Sequence, residues 1–243
     1  MRYKRVLVKL SGGALSGESP WGFDPAAIEY IANEVMKLHA AGVEVGIVAG
    51  GGNIFKGELG QDWGIERAEA DNIGMIATVI NSMMLRGALT SRGTADVRVM
   101  TAIPINTVAE PYIRLKAIRH LDRGCIVLLA AGTGNPYVTT DYPSVLRALE
   151  LRTEVLLSAK NGTDGIYTSD PRKNTDASRY KVISYDSVIQ NDLRVMDQTA
   201  VLLARDNSLP IHVFDFNSPG AMERICRGED LGTLITRGSD QFA

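Results

Sequence analysis

Lys9 is a lone cation in a strand-like apolar run, Arg5-Val6-Leu7-Val8-Lys9-Leu10, which ends at the glycine loop Ser11-Gly12-Gly13. Lys160 follows Val155-Leu156-Leu157-Ser158 and repeats the arrangement, and Lys56 follows a second glycine loop, Gly50-Gly51-Gly52-Asn53. A cation at the end of an apolar strand either snorkels to water or faces an anion, because its burial without a partner is costly. Glycine loops between a strand and a helix let backbone N–H groups converge on phosphate with no Cβ in the way. Any one such loop is also an ordinary tight turn. A third apolar run, Cys125 to Ala130, exits into Gly132-Thr133-Gly134-Asn135-Pro136. If the three strands lie side by side, their exits line a groove for two phosphate-bearing ligands, which is the requirement of phosphoryl transfer. That reaction asks for positioning and positive charge near the transferred group more than for a nucleophile.

Three aspartates accompany these elements: Asp141 after Thr139-Thr140, Asp170 before Pro171, and Asp197 at the start of a helix. Asp141 and Asp197 could be helix caps, and Asp170 a turn former. Beside a polyphosphate they make sense when they hold Mg²⁺ or orient lysines. No metal cage, Ser-His-Asp arrangement or zinc spacing is legible, and His39, His120 and His212 fall in helix or strand patterns as surface or satisfied residues. Neither G-x-x-x-x-G-K-[ST] nor G-x-G-x-x-G occurs, and the protein-kinase motif set is missing.

The elements that must position these residues alternate along the chain. The helix after Asp24-Pro25 carries Ile28, Ile31, Val35 and Leu38 and ends at Gly42, and a strand spans Val43 to Ala49. A long helix occupies roughly Ala68 to Thr90, with Ile73, Ile76, Ala77, Ile80 and Met84 on one face. Strands follow at Val97 to Met100, Cys125 to Ala130, Val155 to Ser158, Ile211 to Phe216 and Leu231 to Thr236. Helices are expected near Tyr112 to Leu121, Asp141 to Leu151 and Pro219 to Arg227. Continuous apolar strands alternating with helices predict a mostly parallel sheet covered on both faces, with sites at the carboxyl ends of the strands.

With 243 residues, 45% of them apolar, the chain can bury one large core or two lobes packed as one domain. A net charge of −2 and a pI near 6.0 argue against a nucleic-acid binder that relies on many phosphate contacts. Cys125 and Cys226 are expected as buried thiols. No basic leader and no stretch of about 18 uninterrupted apolar residues points to secretion or membrane spanning, which leaves the cytoplasm as the expected compartment.

The segments Lys9-Leu10-Ser11-Gly12, Gly50-Gly51-Gly52-Asn53, Gly132 to Pro136 with Thr139-Thr140-Asp141, Asp164-Gly165 through Asp170-Pro171, Arg194-Val195-Met196-Asp197 and Gly232-Thr233-Leu234-Ile235 occur in the order seen in bacterial uridylate kinases. The chain resembles that family over nearly its whole length, and the glycine loops with the Asp-Pro segment resemble amino-acid kinases in general. The resemblance implies a three-layer, carbamate-kinase-like α/β sandwich. It would be a single domain, with a nucleoside-monophosphate lobe at about 1–150 and an ATP lobe at about 151–243. It implies transfer of the γ-phosphoryl group of ATP to UMP, with Mg²⁺ carried by the ATP.

By the same resemblance Lys9, Lys160, Asp141 and Asp197 would be catalytic. Lys9, Leu10, Ser11, Gly12, Gly52 and Lys56 would meet the ATP phosphates, and Asn161, Tyr167 and Asp170 its adenosine. Gly51, Asp71, Thr133, Gly134, Asn135, Pro136, Tyr137, Val138, Thr139 and Thr140 would hold UMP. A homohexamer activated by GTP and inhibited by UTP is also implied, with neither a nucleic-acid nor a membrane partner. Gly13, Lys56, Gly87 and Glu154 depart from the family pattern, which has glutamate, arginine, aspartate and aspartate there. Lysine cannot reproduce an arginine fork, and a glycine inside a helix costs about 1 kcal/mol relative to alanine. Two rival readings are a carboxylate or carbamate kinase, with the Thr133–Asp141 stretch as the discriminating segment, and a uridylate sensor without catalysis.

Overall fold

The computed structural model describes residues 1–243 apart from Thr94, Asp170, Arg172, Thr175 and Arg194, and leaves aside the side chains of Glu58 and Gln61. Asp170, expected at the adenosine, and Arg194 of the Val-Met-Asp segment thus lie outside the described residues. The first half of the chain runs β1 (Arg5–Leu10), α1 (Gly13–Ser16), α2 (Pro25–Ala40), β2 (Glu44–Ala49), α3 (Gly57–Asp62), α4 (Arg67–Thr90), β3 (Val97–Thr101), β4 (Glu110–Pro111), α5 (Arg114–Asp122), β5 (Ile126–Ala130) and α6 (Asp141–Glu150). The second half runs β6 (Val155–Lys160), β7 (Ile166–Tyr167), β8 (Arg179–Ser184), α7 (Tyr185–Gln190), α8 (Gln198–Asp206), β9 (Ile211–Asp215), α9 (Ala221–Arg227), β10 (Thr233–Thr236) and β11 (Gln241–Phe242).

The strands form one sheet in the order β11-β8-β10-β9-β6-β1-β2-β5-β3-β4, with β7 paired to β8. Pairing is parallel from β9 through β4, and antiparallel where β10 meets β9 and where β11 and β7 meet β8. The predicted mostly parallel sheet is therefore present, with the antiparallel pairs confined to one end.

Successive side chains of a strand point to opposite faces, and both faces are buried here. Val6, Val8 and Leu10 of β1 enter a core with α2, α4 and α9, whereas Leu7 enters a second core with α5, α6, α7 and α8. Each fully buried Leu, Ile or Val contributes about 1.5–3 kcal/mol. Three layers result, helices on both sides of the sheet. At the start of α2 the Asp24 side chain accepts the Ala27 N–H at 2.8 Å and Pro25 takes the first helical position, as the sequence signals. Cys125 and Cys226 are free and buried, and burial pushes the Cys226 thiol up to about 12.

The structure adds the short elements α1, α3, β4, β7 and β11 to the sequence reading and differs from it in two larger features. The strand β8 and helix α7 went unrecognised because β8, Arg179-Tyr180-Lys181-Val182-Ile183-Ser184, mixes polar and apolar residues, with only Tyr180 and Ile183 buried, instead of forming a continuous apolar run. The second concerns α4. Its core side carries Ala70, Ala77, Thr78, Asn81, Ser82 and Leu85, while Ile76, Ile80 and Met84 are 38%, 43% and 40% exposed. The polar residues face inward because they hold loop backbones, as described next.

Candidate active site

Strand parity decides where the two lysines emerge. Lys9 shares the parity of Leu7 and therefore points to the α6–α8 side of the sheet. It lies in register with Ser158 of the neighbouring parallel strand β6, and Lys160 stands two residues further along the same face. Both ammonium groups thus reach the carboxyl ends of adjacent strands on one side. On that side α6 and α8 pack together, and Asp141 and Asp197 stand at their N-termini.

Lys9, Asp141 and Asp197 are linked by direct contacts, and Lys160 lies close enough for its charge to be felt by the same group. Lys9, only 9% exposed, places its Nζ 2.9 Å from Asp141 Oδ1. Asp141 Oδ2 accepts the backbone N–H of Asp197 at 3.1 Å. The Thr139 hydroxyl donates to Asp197 Oδ2, and Lys160 Nζ donates to the Val195 carbonyl. Burial, followed by the nearby Lys9 charge, lowers the Lys160 pKa, with Asp141 opposing the shift. Asp141 does not cap α6, whose cap position is Thr140, whereas Asp197 holds the cap position of α8 without a side-chain cap hydrogen bond. The cap reading therefore fails for Asp141 and holds for Asp197 in position only, since its side chain is turned to Thr139 instead.

The glycine loops after β1 and β2 pack backbone against backbone. A Cβ on Gly12 would stand 2.5 Å from the Gly52 nitrogen and 2.9 Å from the Asn53 nitrogen, so only glycine fits. The second loop is held from α4, where Asn81 Nδ2 donates to the Gly50 carbonyl at 2.6 Å and the fully buried Asn53 and Asn81 amides bond to each other. A groove of about 330 Å³ opens beside these loops, walled among others by Gly51, Gly52, Lys56, Asp71, Gly132, Val138, Thr139 and Thr140. Its size is that of a small-molecule site.

The expected residues divide into groups. Gly51, Gly52, Lys56, Asp71 and Val138–Thr140 meet around the groove, but Thr133, Gly134, Asn135, Pro136 and Tyr137 are not among its walls. Tyr137 is 67% exposed with φ 66°, and its N–H donates to Asp71 Oδ2 at 2.7 Å. Asp71 also accepts Arg67 Nε at 2.9 and 3.0 Å. Lys56 is exposed, with its Nζ 5.0 Å from the Trp21 ring centroid. Asn161 is exposed just past β6, while Tyr167 sits in β7 and donates its hydroxyl to Asp164 at 2.7 Å. The strands β9 and β10 separate β6 from β8, to which β7 is paired, so Tyr167 is not drawn to the lysines by the sheet itself. Among the described residues each histidine has one partner: His39 contacts the Gly124 carbonyl at 2.7 Å, His120 lies 3.1 Å from Glu110, and His212 contacts the Leu231 carbonyl through Nε2 while its buried Nδ1 has no hydrogen-bond partner.

Sequence reasoning missed Phe55, Gly74, Met75 and Thr78, which also wall the groove. A signal was present: Asp71, Gly74 and Thr78 form a small and polar stripe at helical spacing within an otherwise apolar α4. Thr78 Oγ1 accepts the Ala131 N–H at 2.8 Å and so ties the third strand exit to the helix. Among the described residues no cluster of three His, Cys, Asp or Glu side chains forms a metal cage. The donor set of two carboxylates beside two lysines fits a metal held mainly by nucleotide phosphates.

Comparison with known proteins identifies the family and the fold. The profile of the amino acid kinase family matches residues 4–215. A uridylate kinase of Frankia alni is 55% identical over 234 residues, covering 96% of this chain and 91% of that protein. A UMP kinase structure from Bacillus anthracis superposes with a TM-score of 0.98 at 54% identity, covering all of both chains. One from Ureaplasma parvum gives 0.90 at 32% identity, over 97% of this chain and 100% of the other. The chain belongs to the amino acid kinase family, among its uridylate kinases.

Proposed function

We propose that this phosphotransferase moves the γ-phosphoryl group of ATP onto UMP, giving UDP and ADP, by direct in-line transfer in pyrimidine nucleotide biosynthesis in the cytoplasm. The observation that carries the reading is the convergence of Lys9, Lys160, Asp141 and Asp197 beside the glycine-lined groove. UMP occupies the groove in the lobe formed by about 1–150, near Asp71 and Thr139–Thr140. ATP lies over the lobe formed by about 151–243, with Asn161, Tyr167 and Asp170 toward adenosine and the Lys9–Gly12 loop, Gly52 and Lys56 toward its phosphates.

Lys9 and Lys160 neutralise charge that spreads over the transferred group, and the Asp141–Asp197 pair orients them. Mg²⁺ bound to the triphosphate supplies further charge neutralisation, with Asp141 and Asp197 the side chains able to hold it. The four residues offer no Ser, Cys or His as a nucleophile, which favours transfer without a phosphoenzyme. The assembly is a homohexamer, activated by GTP and inhibited by UTP. The uncovered face of α4 suits a second copy, because its isoleucine and methionine side chains repeat at helical spacing.

The test is ATP consumption with UMP, acetylglutamate, aspartate and carbamate offered separately. Rapid turnover with UMP alone is expected. Turnover of a carboxylate with none on UMP overturns the reading, and transfer of label from γ-labelled ATP to the protein in the absence of UMP overturns the in-line route.

A further inference from the structure

The loop that follows β5 is strained and held from two sides. Ala131 and Gly132 both have left-handed backbones, φ 60° and 56°, and Ala131 is fully buried. A non-glycine residue there costs on the order of 1–2 kcal/mol, so neighbouring contacts must fix it. From α4 the Thr78 hydroxyl accepts the Ala131 N–H. From α6 the Arg147 guanidinium donates through Nη2 to the Gly132 carbonyl at 2.9 Å.

Arg147 is itself immobilised. It is 7% exposed, its Nη1 donates to Glu150 Oε2 at 2.6 Å, and its Cζ stacks 3.9 Å from the Tyr112 ring centroid. The Tyr112 hydroxyl donates to the same Glu150 oxygen at 2.7 Å. A guanidinium stacked and paired in this way presents its remaining N–H in one direction only. Because a trans peptide is planar, fixing the Gly132 carbonyl toward Arg147 turns the Thr133 N–H the opposite way, away from α6. Gly132 walls the groove, so this peptide unit stands at the groove's edge.

We propose that Arg147, braced by Glu150 and Tyr112, is a positioning residue that sets the peptide orientation of the acceptor loop at Gly132–Thr133 and thereby the affinity for UMP. The assignment rests on the reading of the groove as the UMP site. Arg147 touches no substrate, and its effect passes through the loop backbone to the acceptor while the loops after β1 and β2 are left unchanged.

The experiment measures UMP binding to the unmodified enzyme by calorimetry, and then separate KM values for UMP and ATP in Arg147→Gln, Arg147→Lys and Glu150→Gln. The expected result is a UMP KM raised by about tenfold or more in Arg147→Gln, from loss of a charge-assisted hydrogen bond. The ATP KM stays within about twofold, and Arg147→Lys falls between, since an ammonium can reach the carbonyl but cannot keep the fork. An unchanged UMP KM, parallel rises for both substrates, or a loss confined to kcat overturns the assignment. If Arg147→Gln does not fold by circular dichroism, Arg147→Lys is judged by the same criteria. Failure of the unmodified enzyme to bind UMP overturns the reading of the groove instead, so the two failures are distinct.

Discussion

Asp141 accepts the backbone N–H of Asp197 at 3.1 Å, joining the N-termini of two packed helices directly above the Lys9 ammonium. The two aspartates, 56 positions apart, support an electrostatic site, and each of its parts has a measurable consequence.

Asp141→Asn removes the partner of a lysine that is nearly buried. Loss of one preorganised electrostatic group lowers kcat by about 10²–10³. Leaving Lys9 without its counter-charge also lowers stability, by about 1–3 kcal/mol with the near-isosteric amide. A coupled assay for UDP formation reads the first effect and thermal denaturation the second. A variant with unimpaired kcat excludes Asp141 from the mechanism.

Gly12→Ala drives a methyl group into the backbone nitrogens of Gly52 and Asn53, at 2.5 and 2.9 Å. The two loops must separate, at a cost of about 1–3 kcal/mol. The expected outcome is an ATP KM raised by roughly ten- to a hundredfold with a smaller change for UMP. By contrast, the nearest neighbour of a Cβ on Gly13 would be Ser11 Oγ at 3.9 Å, so Gly13→Ala is accommodated without displacement.

Lys160 has its pKa lowered by burial and by Lys9, so in the free enzyme it loses its proton below the ordinary lysine value of 10.5. A bound triphosphate favours the charged form and raises that pKa again. Between the two values ATP binding therefore takes up a proton, and its affinity falls as pH rises through that window. Calorimetry in buffers of different ionisation enthalpy measures the uptake. Lys160→Arg, which stays charged, abolishes it; equal uptake in that variant would assign the proton elsewhere.

Ile80 and Met84, both partly exposed on α4, are candidates for contact between copies. Ile80→Asp introduces a charge into that face without touching Thr78 or Asn81, which hold the loops from the other side. Light scattering is expected to show a smaller assembly for the variant at equal concentration. Identical masses would place the subunit contact on another surface.

Much of this protein was legible from its sequence. Continuous apolar runs ending in glycine mark parallel strands buried on both faces, because such strands admit no alternation, and their lysines and glycine loops stand out against that background. Periodicity also located the longer helices to within about two residues, since caps such as Asp24-Pro25 act locally, whereas the short α1, α3 and α7 were not read. The strand β8, in which polar residues interrupt the apolar ones, was lost for the complementary reason. The tertiary structure alone decided which residues meet. Sheet order brings β1 beside β6 and so Lys9 beside Lys160, although 150 residues lie between them. It also turned the polar stripe of α4 inward and left its isoleucines uncovered, because strained loop backbones need hydrogen-bond partners from Thr78, Asn81 and, across the sheet, Arg147. Local pattern carries propensity and burial; the satisfaction of distant backbone groups depends on packing, which a one-dimensional period does not contain.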